Sequence, residues 1–279
     1  MAELGARLAA PAKLNLWLTV VGRRPDGYHE LDSLLVLLDL ADELRVAPDG
    51  APLTISGPEA AGVPADESNL AWRGWVAGLG GDDLAAGLEL EKRVPAAAGL
   101  GGGSSDAAAA WRLAQDAAGA APGRPSAETL HALAAIGADV PFFAAQVATA
   151  RVSGIGEQVV EADAPVADEV VLIHPPFGLS TAAVFGELRP ADWSGALDDG
   201  EPGRNDLLAP ARRLRSELED VMRLVAAAGG EPHLTGSGPT VFVLTDDPER
   251  ADGVAVRMVR AGLTTTRTTI RRRAASIER

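Results

Sequence analysis

Three groups in this chain have the residue types and spacing to do chemistry on a phosphorylated ligand. The first is the stretch V-P-A-A-A-G-L-G-G-G-S-S-D-A-A-A-A over residues 94–110. Its glycines allow sharp turns and close backbone approach to a ligand, and Ser104, Ser105 and Asp106 then open a run of strong helix formers. Strand, glycine loop and helix N-terminus in that order collect free N–H groups and the positive end of a helix dipole at one point, which suits a phosphate. It is neither a Walker A loop, since no lysine follows Gly103, nor the dinucleotide fingerprint, whose third glycine is replaced here by Ser104. The second group is the lysines. Of 25 basic residues, lysine supplies two, Lys13 and Lys92, and arginine the other 23. A compact ammonium beside a reacting oxygen is not well replaced by arginine, so two lysines kept in so arginine-rich a chain point to chemistry. The third is Asp139, within G-A-D-V-P-F-F at 137–143. It stands in a break between two helical patterns, where an aspartate either satisfies turn N–H groups or remains free to accept a proton.

Several elements must position these groups. Residues 7–21 alternate as a strand, with Leu14, Leu16, Leu18 and Val20 on one face and Lys13, Asn15, Trp17 and Thr19 on the other. That second face reads equally as a solvated surface or as one side of a site. Pro25-Asp26-Gly27 is a turn signal that delivers Tyr28, the single tyrosine, and His29 to the start of the next strand. Asn69 is placed to cap a helix over 70–79 that ends at Gly80-Gly81. A strand over 87–94 feeds the glycine loop and puts Lys92 on its apolar face, where a charge is costly unless paired, close to a ligand or snorkelling from the strand end. Ser126 caps a helix to Ile136, and Gln146–Ala162 reads as a hairpin turning at Gly154–Glu157. Asn205 is expected to open one long helix ending at Gly229. His233–Leu244 carries a second glycine loop, Gly236-Ser237-Gly238. Asp247-Pro248 opens a further helix, and 264–273 is an outer strand.

The glycine loop resembles the second motif of the GHMP kinases, a P-x-x-x-G-L-G-x-S-S type loop that binds the triphosphate of ATP. Residues 233–244 resemble the family's third motif. A-K-L-N-L with R-P-D-G-Y-H, and G-A-D-V-P-F-F, are similar to one branch whose acceptor is a cytidine diphosphate-linked methylerythritol in non-mevalonate isoprenoid precursor synthesis. The resemblance covers nearly the whole chain. It implies an α+β fold of two domains, 1–163 similar to ribosomal protein S5 domain 2 and 164–279 ferredoxin-like. It implies ATP as co-substrate with Mg²⁺, no metal-ligating side chain being evident. Lys13 and Asp139 would be catalytic. Asn69, Lys92, Pro95, Ala96, Ala97, Ala98, Gly99, Leu100, Gly101, Gly102, Gly103, Ser104 and Ser105 would hold the nucleotide. Asn15, Tyr28, His29, Thr181 and Phe185 would line the acceptor pocket. Gln146 departs from the pattern, standing where a glycine is usual. Rival readings are a kinase for homoserine, mevalonate or a sugar, and a nucleotide-binding protein without turnover; the Tyr28–His29 pair, suited to a flat heterocycle, argues for the cytidyl acceptor.

Composition narrows the remaining classes. A net charge of −14 argues against non-specific nucleic-acid binding, and requires that an anionic substrate find a locally positive pocket. The absence of cysteine excludes disulfides, thiolate metal sites and a cysteine nucleophile. There is no apolar run of membrane-spanning length. The N-terminal sequence lacks a signal peptide's apolar stretch, so the expected compartment is the cytoplasm, and the expected state is monomer or homodimer.

Overall fold

The computed structural model describes residues 5–48, 52–81, 86–120, 123–163, 167–196 and 202–279. Two antiparallel strands, β1 (Arg7–Arg23) and β2 (His29–Pro48), run the length of the molecule. They pair in register, broken by shifts at Pro11/Lys13, Asn15/Trp17 and Val20/Gly22. β3 (Leu53–Ser56) and β4 (Ala86–Glu91) extend one edge, with β4 antiparallel to the far half of β2 and β3 parallel to β4. β5 (Thr149–Gly154) and β6 (Gln158–Glu161) extend the sheet from the near half of β2. A second, antiparallel sheet holds β7 (Glu169–His174), β8 (His233–Leu234), β9 (Val241–Thr245) and β10 (Thr264–Thr269) in the order β10-β7-β9-β8.

The alternation read from residues 12–20 is what glues the layers. Ala12, Leu14 and Leu16, with Leu34, Val36 and Leu38 of β2, pack on Val170, Leu172 and Phe242 of the second sheet. The opposite face of the first sheet is covered by helices α1 (Leu70–Leu79), α2 (Gly102–Ala117), α3 (Ala127–Ala134) and α4 (Val140–Ala144). The face of β1 that could have been solvated is therefore buried. The second sheet is backed by α5 (Thr181–Gly186), α6 (Leu208–Leu214), α7 (Glu217–Ala227) and α8 (Pro248–Arg260).

Local chemistry accounts for most of the ends. Asn69, Ser126 and Asp247 each accept a backbone N–H from the first turn of the helix they precede. The single long helix expected after Asn205 is instead α6 and α7, broken at Arg215, whose backbone is extended and whose guanidinium lies over the Phe177 ring. Asn205 is not a simple cap either. Its Oδ1 accepts from Leu207 N at 2.9 Å, while its amide donates to the carbonyls of Leu234 and Gly236 at 2.8 and 2.9 Å, tying the helix to the second glycine loop. Gln146 does adopt a conformation that favours glycine, with φ of 58°. Its side chain holds it there, donating to Gly123 O at 2.6 Å and accepting from Arg112. The chain's last residues return to the first sheet: Arg271 N donates to Leu37 O at 2.8 Å and Glu278 bridges Arg7. Residues 164–166, where the boundary between 1–163 and 164–279 was expected, lie outside the described residues.

α1 and α2 approach so closely that a Cβ on Gly74 would lie 2.1 Å from Ala107 O. Gly74→Ala should therefore destabilise the protein despite alanine's better helix propensity. The propensity gain is about 1 kcal/mol, whereas overpacking against backbone costs about 1–3 kcal/mol or more because the helix cannot yield. A lowered urea midpoint at unchanged slope is the expected result.

Candidate active site

A cavity of about 800 Å³ opens between the helical layer, the near ends of β1 and β2, and the second sheet's loops. Its floor is built on β1. Lys13 N donates to Leu100 O at 2.9 Å, which fixes the strand against the glycine loop. Lys13 Nζ donates to Asn15 Oδ1 at 2.6 Å; Asn15 Nδ2 donates to Ser33 Oγ at 2.8 Å, and Ser33 Oγ to Trp17 O. This relay holds the ammonium at one point on the floor. Asp139 Oδ2 is 3.7 Å from Lys13 Nζ, and the aspartate side chain is 38% exposed. Asp139 precedes α4 without capping it, because Pro141 occupies the first turn and removes one donor. Its carboxylate is thus left for the cavity.

The glycine loop forms the wall. Gly101, at φ of 70°, precedes α2 and makes no side-chain cap, and the helix's first backbone bond is Ser105 N to Gly101 O at 2.9 Å. The N–H groups of Gly102, Gly103 and Ser104 have no intrahelical partner, and these residues line the cavity together with Pro95, Ala96, Ala97, Ala98 and Gly99. Close packing demands the glycines. A Cβ on Gly101 would lie 3.0 Å from both Lys13 Cγ and the Phe143 ring, and one on Gly99 would lie 2.6 Å from Thr235 O of the second glycine loop. That loop contributes Gly236 and Ser237, with Ser237 Oγ 2.9 Å from Thr181 Oγ1.

Aromatic side chains close the far end. The His29 ring stacks on Phe185 at 5.6 Å and meets Trp193 edge-on at 5.9 Å. Burial, aided by the Arg23 cation, holds the His29 pKa below the ordinary histidine value. Tyr28 is exposed at the rim.

Four of the expected nucleotide-binding residues do not face the cavity. Leu100 is in the apolar interior. Ser105 lines a separate void of about 20 Å³, and its buried hydroxyl has no partner. Asn69 spends its side chain on the cap of α1 and on Pro64 O at 2.6 Å. Lys92 is buried and bonded to Asp42 and, at 2.7 Å, to Asp106. Burial works against its ammonium, but the charges of Asp106 and Asp42 outweigh it and raise its pKa; burial pushes Asp106 well up, against the pull of Lys92. Buried carboxylate partners, and not a ligand, therefore answer the cost of placing a charge on the apolar face. The sequence reading gave no site role to Ser33, Trp193, Ser237 or Gly156. Ser237 and Gly156 lie in glycine turns that it did name, Ser33 is tied to the site through Asn15 across the strand pair, and Trp193 carries no local signal.

Residues 69–146 match the GHMP kinases N-terminal domain, and residues 193–263 match the GHMP kinases C-terminal domain. The chain belongs to the GHMP kinase family. It is thus a small-molecule kinase that takes ATP as co-substrate. It is 42% identical to the 4-diphosphocytidyl-2-C-methyl-D-erythritol kinase of Dinoroseobacter shibae, with 88% of each chain covered. It is 40% identical to the same-named protein of Paracoccus denitrificans, over 91% of this chain and 92% of that one. A crystal structure of 4-(cytidine 5'-diphospho)-2C-methyl-D-erythritol kinase superimposes with a TM-score of 0.76 at 34% identity, covering 95% of this chain and 98% of the other. Homoserine kinase from Cytophaga hutchinsonii shares the fold at 17% identity and a TM-score of 0.68. The two-domain α+β GHMP kinase fold expected from the motifs is the fold found.

In this GHMP kinase the turn that carries Asp139 rests on Gly156: a Cβ there would lie 2.2 Å from Ala138 O, at a φ of +116°. Gly156→Ala is expected to move that turn and lower kcat about 10–100-fold, since displacements near 1 Å have such effects. Steady-state kinetics should show little change in the KM for ATP.

Proposed function

We propose that this enzyme transfers the γ-phosphoryl group of ATP to the 2-hydroxyl of 4-diphosphocytidyl-2-C-methyl-D-erythritol, a step of non-mevalonate isoprenoid precursor synthesis. The observation that carries the reading is the placement of Lys13 and Asp139 at one floor, 3.7 Å apart, beside the free N–H groups at the start of α2. Phosphoryl transfer needs positioning and charge stabilisation more than covalent chemistry. The N–H groups of residues 102–104 and the Ser104 hydroxyl hold the triphosphate. Lys13 sits by the accepting hydroxyl and neutralises charge as it develops, and Asp139 accepts the hydroxyl proton. From Ser33, at the floor, to His29 is four strand residues, about 13 Å at the usual rise. That span leaves room for a diphosphate between the reacting alcohol and a base gripped by Tyr28, His29 and Phe185, with Asn15, Thr181 and Ser237 along the way.

Among the described residues no group of three or more acidic or histidine side chains converges as a metal site, and Asp139 is the one carboxylate lining the cavity. That donor set fits a Mg²⁺ held mainly by phosphate oxygens and water; when bound, the ion neutralises triphosphate charge. The division into units at 1–163 and 164–279, with 270–279 crossing back, belongs to this reading, as does a cytoplasmic setting. No helix among the described residues is long and apolar enough to cross a membrane.

ADP release measured with the cytidyl alcohol, homoserine and mevalonate tests the substrate: turnover with the first alone is expected, and turnover only with another overturns the assignment. Asp139→Asn and Lys13→Met should each cost about 10²–10⁴ in kcat, with ATP binding retained; full activity in either would remove it from the chemistry. The KM for the cytidyl alcohol should be flat above neutrality. It should rise as pH falls below the ordinary histidine range, because protonation removes the acceptor nitrogen of His29; a flat profile in acid would take the ring out of recognition.

A further inference from the structure

Asp42, Lys92 and Asp106 form a buried cluster that lines neither of the two cavities described above. We infer that this cluster is a positioning clamp for ATP: it fixes both ends of the glycine loop on one strand of the sheet, and so sets where the loop's N–H groups point. The inference rests on the assignment of residues 102–104 to the triphosphate.

The connections lie on either side of the loop. Before it, Asp42 Oδ1 accepts from Arg93 N at 2.5 Å and Val94 N at 2.8 Å, while Asp42 Oδ2 takes Lys92 Nζ. After it, Lys92 Nζ donates to Asp106 Oδ2 at 2.7 Å, in the first turns of α2. A single β2 side chain therefore anchors the residues leading into the loop directly and those leading out of it through one ammonium. Between these anchors Gly102 lies on the clamp, where a Cβ would come within 3.4 Å of Lys92 Nζ and 3.1 Å of Val94 Cγ1. Lys92 is itself held, its N–H donating to Ser56 O at 2.7 Å and its carbonyl accepting from Glu59 N at 3.1 Å. The arrangement is not the cheapest way to fill this space. Asp106 Oδ1 is buried with no partner, and apolar side chains of similar volume commonly do as well as a buried ionic group for stability. What apolar packing lacks is direction: an ion pair fixes α2 along and about its axis, and the N–H groups of its first turn with it.

Two carboxylates share one ammonium, so removing Asp106 leaves the Lys92–Asp42 pair in place. Asp106→Leu is expected to weaken binding of a non-hydrolysable ATP analogue, by calorimetry, and to raise the KM for ATP at least tenfold, with the KM of the cytidyl alcohol within twofold. Asp106→Asn keeps an oxygen for Lys92 and should restore ATP affinity to within about threefold of the parent. A stability role alone would lower the melting temperature and leave the ratio of the two KM values unchanged, which would overturn the clamp. If Asp106→Leu does not fold, Asp42→Asn reads the same quantity: it keeps an acceptor for Arg93 and Val94 but sets an amide N–H against the ammonium, and unchanged ATP affinity there also overturns the clamp. A parent protein that binds ATP yet leaves the cytidyl alcohol unphosphorylated would refute the substrate assignment while the affinity comparison still decided the clamp.

Discussion

Removing a lysine ammonium from water costs several kcal/mol unless oxygen atoms replace the lost hydration, and this chain does so twice within its N-terminal half. The two solutions differ in a way that orders the site. Lys92 is met by two carboxylates and lies entirely within protein. Lys13 is met at hydrogen-bond distance by one neutral amide oxygen, with a carboxylate standing off at 3.7 Å. The first ammonium is spent on architecture. The second keeps N–H capacity directed at the cavity, the condition for stabilising charge on a transferring group.

Both solutions depend on backbone brought very close to side chains. The two glycine loops interlock, Gly99 against Thr235 O, where a Cβ would lie at 2.6 Å, and Gly236 against Gly99 O, where one would lie at 3.1 Å. Each loop comes from a different sheet, and the apolar faces of those sheets are pressed together by Leu14, Leu16, Val36, Val170, Leu172 and Phe242. Packing between the sheets therefore decides how far the second glycine loop stands from the first and from the ammonium. A polar site is held in register by a core that none of its reacting atoms touches, as expected when interiors are dense enough to transmit displacement.

The acceptor end follows a different logic. His29 comes from the hairpin of the first sheet, whereas Phe185 and Trp193 come from the segment that follows β7. That end of the cavity is assembled across the same seam at which the two glycine loops meet.

What the sequence determined by itself is local. The caps at Asn69, Ser126 and Asp247, the glycine loop running into α2, the alternation along β1 and the turn delivering Tyr28 and His29 were legible because each depends on residues a few positions apart, through backbone hydrogen bonds and side-chain period. With the motif resemblance, these also placed Lys13 and Asp139 in one site. The tertiary structure alone decided what depends on partners distant in the chain: that the Lys92 ammonium is met by Asp42 and Asp106 and does not line the cavity, that Ser105 faces away from the cavity, that the helix after Asn205 breaks at Arg215 beside Phe177, and that Trp193 closes on His29. Such partners are chosen by which faces the two sheets bury against each other, and a strand's own alternation states that a face is apolar without naming what will cover it.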